Sequence, residues 1–103
     1  MDFYTLIEKA RKTGKIDKGV NEVTKAVERG TAKAVFAAAD VSPKELVAHL
    51  PVLCKEKNVT FIEVDSKQKL GIAAGIAVGT AAIAIVNAGE ADKEIAQLKA
   101  KAA

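Results

Sequence analysis

Residues 70–89 contain no charged side chain, and this twenty-residue run limits the fold more than any other feature of the chain. The run is long enough for a transmembrane helix, and Gly71, Gly75 and Gly79 form Gly-x-x-x-Gly steps like those of paired membrane helices. Its first half is mostly glycine and alanine, however, which insert poorly, and no Trp or Tyr anchors flank it. We therefore expect no membrane association, and a buried apolar strand over residues 81–86.

The other segments alternate between strand and helix patterns. A run with little polar content predicts a further strand over residues 32–38, and β-branched and aromatic residues predict another over residues 60–64. Residues 15–18 are interpreted as a short extended link. Strands that alternate with helices indicate an α/β layer structure with helices on both faces of a small sheet. The length of 103 residues indicates a single domain over residues 1–103.

Capping residues predict where the helices begin. Five helices are predicted, over residues 2–13, 21–30, 43–58, 66–74 and 90–101. We assign the N-terminal caps of the first four helices to Asp2, Asn21, Ser42 and Ser66. Pro51 is expected to interrupt the third helix. The first helix should turn Lys9, Arg11 and Lys12 toward solvent, and the last should turn Ile95 and Leu98 inward.

Charge and cysteine content narrow the class of protein. The net charge of +3 arises in residues 1–33, which hold eight Lys or Arg and five Asp or Glu, whereas residues 34–103 hold eight of each. An anionic partner at the amino-terminal part would explain this imbalance, and so would solvated helix faces. One cysteine excludes an internal disulfide, and residues 1–20 contain no apolar signal sequence, so we expect a cytoplasmic protein.

The segment 18–30 reads Lys-Gly-Val-Asn-Glu-Val-Thr-Lys-Ala-Val-Glu-Arg-Gly and is the candidate functional motif. In one short helix, Asn21 lies beside Glu22 and one turn from Lys25. An amide, a carboxylate and an ammonium group together match the donors and acceptors of a guanine. The same residues also suit a plain surface helix, in which Asn21 caps, Glu22 favours the helix dipole and Lys25 pairs with Glu22.

The sequence of this motif resembles that of the L7Ae family, the kink-turn RNA-binding family of archaeal and eukaryotic large-subunit ribosomal proteins. Its signature, Lys-Gly-x-Asn-Glu-x-Thr-Lys-x-x-Glu-Arg-Gly, is present at every fixed position. Segments 47–51, 53–59 and 66–71 also resemble family motifs, so the similarity extends over about residues 5–89. The resemblance implies an α/β, three-layer α-β-α sandwich around a small mixed sheet, without enzymatic activity or a cofactor, and from an archaeal source.

The resemblance also implies what the chain binds. Kink-turns are bent duplexes with a three-nucleotide bulge beside two tandem sheared G·A pairs. Family members bind them in ribosomal RNA, in box C/D and H/ACA guide RNAs, and in ribonuclease P RNA. The expected partners are these RNAs and guide-particle proteins such as the scaffold that carries fibrillarin. The chain is expected to be monomeric when free.

The resemblance further implies which residues contact RNA. They are Lys18, Gly19, Asn21, Glu22, Lys25, Arg29, Lys67, Ile76, Val78 and Ala81. In this set, Lys67 matches a lysine near the RNA backbone, although it would also suit a free surface lysine, and Arg29 supports the helix or contacts phosphate. Ile76, Val78 and Ala81 cover a base flipped from the bulge, although these three apolar residues would also suit a plug at the sheet edge.

The chain departs from the family pattern in the same loop, where Ala77 and Gly79 replace the usual Glu and Pro. The departure keeps a second function open, a protein-interaction module of the same fold with weakened RNA binding. His49 and Cys54 suggest a nucleophile and base, but no orienting third group accompanies them, so we expect no catalytic site. A single His and a single Cys also predict no metal site.

Overall fold

Four strands form one mixed sheet in the order β1-β4-β2-β3. The computed structural model describes the backbone of residues 3–102 and the side chains of residues 3–97. The strands are β1 (Lys15–Lys18), β2 (Ala34–Ala38), β3 (Thr60–Val64) and β4 (Ala82–Asn87). β2 and β3 are parallel, and β4 runs antiparallel to both of its neighbours, β1 and β2. The predicted mixed sheet is therefore confirmed.

Helices cover both faces of this sheet. They are α1 (Phe3–Thr13), α2 (Val20–Glu28), α3 (His49–Glu56), α4 (Lys67–Ala73) and α5 (Asp92–Ala102), with single 3-10 turns at Lys44–Leu46 and Gly89–Ala91.

The central strand β2 supplies side chains to both layers of the core. Phe36 packs with residues of α1, α4 and α5, whereas Val35 packs with residues of α2 and α3. This division follows from the period of two along a strand, and it confirms the three-layer α-β-α sandwich.

The strand β1 was predicted only as an extended link. Its sequence, Lys-Ile-Asp-Lys, carries one apolar residue and gives little local signal. Its ladder comes from β4, about seventy residues later in the chain, where Ile16 lies opposite Ile85. Long-range pairing therefore makes a strand of a segment whose own propensity is weak.

Two of the predicted helix starts, at Ser66 and Asn21, are compared with the structure here. Ser66 is the N-cap of α4, and its Oγ accepts a hydrogen bond of 3.2 Å from the Lys69 amide, as predicted. The assignment of Asn21 as an N-cap is wrong, because α2 already begins at Val20 and Gly19 occupies the cap position. Asp2, the predicted cap of α1, lies outside the described residues.

The predicted helix over 43–58 is two separate elements. A 3-10 turn follows Pro43, and no side-chain cap bond forms there, so the assignment of Ser42 as an N-cap is wrong. Pro51 does not interrupt a helix, because it is the third residue of α3. A first-turn amide has no partner within its helix, so proline loses nothing at that position.

The uncharged run 70–89 is divided among the end of α4, the loop 75–81 and β4. No helix in residues 3–102 is both long enough and apolar enough to cross a membrane. The small residues of the run serve close packing, since a Cβ on Gly71 would lie 2.1 Å from the carbonyl oxygen of Val78. Ile95 of α5 is buried as predicted, and the side chain of Leu98 lies outside the described residues.

Candidate nucleic-acid interface

The sheet topology places four connecting segments at one edge. Since β4 is antiparallel to β1 and β2, its first residue lies at the carboxyl ends of β1, β2 and β3. The start of α2, residues 39–43, the start of α4 and loop 75–81 therefore share this edge. Segments far apart in the sequence are brought together there.

Gly19 joins the start of α2 to the first residue of β4, which directly follows loop 75–81. Its amide donates a hydrogen bond of 2.9 Å to the carbonyl oxygen of Ala82. Its backbone angles, φ 90° and ψ 151°, lie in a region that is almost exclusive to glycine. A Cβ there would contact no atom within 4 Å, so the backbone angle, not crowding, requires glycine. The space in front of the helix is open.

Asn21, Glu22 and Lys25 lie on the exposed surface of the first turns of α2. None of the three side chains forms a hydrogen bond or an ion pair with a described residue. Asn21 does not cap the helix, and Glu22 does not pair with Lys25, so the plain surface-helix interpretation keeps only the favourable position of Glu22 in the first turn. Their donors and acceptors are all available to a ligand.

Thr24 and Arg29, on the same helix, lie apart from this group. The Thr24 hydroxyl donates to the carbonyl oxygen of Val20 at 2.7 Å and lies 2.8 Å from Nε2 of His49, which ties α2 to α3. Arg29 is the C-cap residue of α2. At a rise of 1.5 Å per residue it lies about 12 Å along the axis from Asn21. The structure therefore does not bring Arg29 together with the first-turn group.

Loop 75–81 exposes one large apolar side chain. Val78 is 70% exposed, whereas Ile76 is half-buried and Ala81 packs against the core between α1, α4 and the sheet. The amide of Thr80 donates to the carbonyl oxygen of Lys67 at 3.1 Å, and the amide of Ala38 donates to the carbonyl oxygen of Ala81 at 2.9 Å. The loop is thus anchored to α4 and β2 while Val78 projects into solvent.

Two predicted cations frame this edge. Lys18 is the last residue of β1 and is exposed. Lys67 is the first residue of α4, its backbone amide donates to Oδ1 of Asp40 at 2.8 Å, and its side chain lies beside Gly79. Neither ammonium group is paired with a carboxylate of the described residues. The edge therefore presents free positive charge on both sides.

Two contacts that support the two ends of α4 were missed in the sequence. Asp40 holds the start of α4, and Arg11 reaches from α1 to the carbonyl oxygen of Ala73 at 3.2 Å. The partners are 27 and 62 residues apart, so no local pattern could have revealed them.

The prediction that the cations of α1 face solvent is correct only for Lys12, which forms an exposed pair with Glu8. Lys9 forms a hydrogen-bonded ion pair with Glu94 of α5, with an N–O distance of 3.0 Å. Arg11 is the second exception, because its guanidinium is used in the contact with α4 described above. The two residues point toward neighbouring helices because α1 lies between α4 and α5.

His49 and Cys54 do not form a nucleophile and base. His49 is engaged with Thr24, and burial raises the pKa of the Cys54 thiol to about 11, which keeps it protonated at neutral pH. Within the described part of the chain, no cluster of His, Cys, Asp and Glu could hold a metal ion.

The architecture is shared with proteins of known structure. The Giardia lamblia 15.5kD RNA binding protein is similar, with a TM-score of 0.87 and 33% identity, over 96% of this chain and 82% of that one. This similarity places the chain in a class of α-β-α domains, and an RNA-binding protein is a member of that class.

A sequence relative and a family model make the classification more specific. Large ribosomal subunit protein eL8 of Haloquadratum walsbyi is 51% identical over 100 residues, which are 97% of this chain and 83% of the relative. Residues 1–95 match the model of the Ribosomal protein L7Ae/L30e/S12e/Gadd45 family, and the chain belongs to that family. The family membership confirms the resemblance and agrees with the prediction that the chain is not an enzyme.

Proposed function

We propose that the chain binds and stabilises kink-turns in ribosomal RNA and in box C/D or H/ACA guide RNAs, with ribonuclease P RNA as a further target. The observation that supports this most is the group of three exposed side chains on α2, Asn21, Glu22 and Lys25, which have no partner among the described residues. An amide, a carboxylate and an ammonium group left free on one helix turn suit a base edge better than a phosphate.

In this proposal α2 enters the widened groove of the kinked RNA. The major groove of an ordinary A-form helix is too narrow for side chains to read, and the kink opens it. Lys25 and the Asn21 amide donate to guanine O6 and N7, and Glu22 accepts from guanine N1 and N2.

Loop 75–81 completes the proposed interface. Val78 projects from the same edge of the sheet as the start of α2, and it covers the base flipped from the bulge, with Ile76 beside it. An apolar side chain laid against a base face tolerates every base, because each has a π-face. Ala81 contributes less in this proposal, since part of its surface is already packed. Lys18, Gly19 and Lys67 lie along the backbone of the RNA.

The protein partners are also part of the proposal. In guide particles the bound chain prepares the RNA for proteins such as the scaffold that carries fibrillarin. The large-subunit identity of the Haloquadratum relative supports the ribosomal role.

The direct test compares two RNAs of equal length and charge. One is a kink-turn with tandem sheared G·A pairs, and the other has those pairs replaced by Watson–Crick pairs. We expect a gel shift or calorimetric titration to show much tighter binding of the intact kink-turn. Equal affinity for both RNAs would leave only generic charge attraction and would refute the proposal.

The salt dependence of binding gives a further prediction. Lys18, Arg29 and Lys67 are exposed cations without a described carboxylate partner, and Lys25 adds its charge in the groove, so about three to five phosphates should be neutralised. We expect the plot of log K against log salt concentration to have a slope of roughly −3 to −4. Titrations between low and moderate salt measure it, and a slope near zero would contradict an RNA partner.

A further inference from the structure

Loop 75–81 begins at a turn that is supported from another helix. The chain leaves α4 through Gly75, whose φ is +82°, and the side chain of Arg11 lies directly against this turn. A Cβ on Gly75 would lie 2.8 Å from Cδ and 2.9 Å from Nε of Arg11. The same Nε donates a hydrogen bond of 3.2 Å to the carbonyl oxygen of Ala73 in the last turn of α4. Arg11 therefore fills the space that a side chain at position 75 would occupy.

The other contacts of the loop are made with α4 and the sheet. The amide of Ile76 donates to the carbonyl oxygen of Gly71 at 3.0 Å, and the Thr80 amide donates to Lys67. The carbonyl oxygen of Val78 packs so closely against Gly71 that a Cβ there would clash with it. Arg11 is the contact that links the loop entry to α1, a helix outside the proposed RNA-binding set.

The environment of the Arg11 side chain indicates that it supports the turn at Gly75 and is not a surface cation exposed to solvent. Arg11 is half-buried, and it forms no ion pair with any carboxylate of the described residues. A guanidinium in a rigid fork suits this position, because it fixes a carbonyl and fills space with its stem at the same time.

We propose that Arg11 is a positioning residue, which fixes loop 75–81 so that Val78 and Ile76 are preorganised to cover the flipped base. The inference rests on the proposed kink-turn function and deepens it. A loop held in its bound arrangement loses less conformational freedom on binding, so removing the support should weaken only the loop's share of affinity.

Arg11→Met tests this assignment, because it keeps an unbranched apolar stem and removes the donor and the charge. Two RNAs are compared, an intact kink-turn and the same RNA without the base at the flipped position. We expect Arg11→Met to weaken binding of the intact RNA about fivefold to tenfold, the equivalent of about one hydrogen bond, and of the abasic RNA less than about twofold. Lys12→Met, which removes a neighbouring exposed cation, serves as the matched control.

A phosphate contact by Arg11 would give a different result. Both RNAs would then lose affinity equally, and the salt slope would become shallower by about 0.9. That outcome, or no loss on either RNA, would overturn the assignment.

Hydrogen exchange of the free protein tests the support without RNA. The amides of Ile76 and Thr80 should exchange about tenfold faster in Arg11→Met, while amides of β2 remain unchanged. Unchanged exchange at Ile76 and Thr80 would overturn the positioning role. If the wild-type chain fails to prefer kink-turns, the proposed function is refuted by that result alone, and the exchange rates still decide whether Arg11 holds the loop.

Discussion

Lys25→Ala is expected to weaken binding of an intact kink-turn about tenfold to a hundredfold, the cost of losing a charged hydrogen bond in a partly desolvated groove. The ammonium group of Lys25 is exposed and unpaired among the described residues, so its removal breaks no contact within the protein. Melting temperature should therefore change little. Titration calorimetry or gel shifts with one RNA measure the difference in affinity.

Lys12→Ala is the control for charge alone. Lys12 is also exposed, lies on α1 and already pairs with Glu8, with an N–O distance of 2.8 Å. Its contribution would be a screened long-range attraction, so we expect a change of less than about twofold. Equal losses from Lys25→Ala and Lys12→Ala would show that α2 attracts RNA by charge and reads no base.

Phe36→Ala is expected to lower the free energy of unfolding by about 3–5 kcal/mol, which is the usual cost of a large cavity in a core. Phe36 is fully buried in the central strand, opposite Ile62 on β3 and Ile83 on β4. Its ring lies 5.8 Å from that of Phe3 of α1, between centroids. The side chain therefore joins α1 to the middle of the sheet.

Urea unfolding followed by circular dichroism measures this loss. Phe36→Leu, which keeps most of the volume, should cost only about 1–2 kcal/mol. The contribution of α2 to kink-turn affinity should be unchanged in the folded fraction, since Phe36 packs on the face of the sheet opposite α2. A loss below about 1 kcal/mol for Phe36→Ala would mean that the core is not organised around this residue.

Those parts of the fold that depend on neighbouring residues could be predicted from the sequence. The cap at Ser66 is an example, because its bond to Lys69 spans three residues. The apolar runs of β2 and β4 were equally visible, since most of their residues are buried, and β3 was visible in its β-branched and aromatic residues. The strand β1 was not, because its own sequence signal is weak and its ladder is with a distant segment.

The errors around α2 and α3 have local causes. Asn21 is a favoured cap residue, but Gly19 reaches the required backbone angles two positions earlier, which starts the helix sooner. Pro51 reads as a helix breaker in isolation and is harmless in a first turn. The correction matters for function, because an Asn21 that does not cap the helix has its amide free.

The candidate site was predictable only in part. Donors and acceptors on α2 follow from residue type and helical spacing, and the loop residues Ile76 and Val78 were assigned by resemblance alone. Sequence patterns could not show that the end of loop 75–81 lies beside the start of α2. The hydrogen bond that brings them together is between Gly19 and Ala82, which are distant in the sequence. The RNA contacts of all these residues remain predictions.

The substitution Glu22→Ala tests most directly whether α2 reads bases, and its sign decides the question. A carboxylate near RNA is repelled by phosphates, so removing it should tighten binding if net charge alone matters. If Glu22 accepts from guanine N1 and N2, its removal leaves those donors unpaired and weakens binding.

The measurement is the affinity of wild type, Glu22→Ala and Glu28→Ala for an intact kink-turn and for its G·A-disrupted control. Glu28 is the last residue of α2 and is also exposed. The control substitution Glu28→Ala therefore removes the same charge at the other end of the helix. We expect Glu22→Ala to weaken binding of the intact kink-turn about tenfold or more, with a smaller loss on the control RNA and no loss for Glu28→Ala on either RNA. Tighter binding of both RNAs by Glu22→Ala would contradict the kink-turn assignment of this helix.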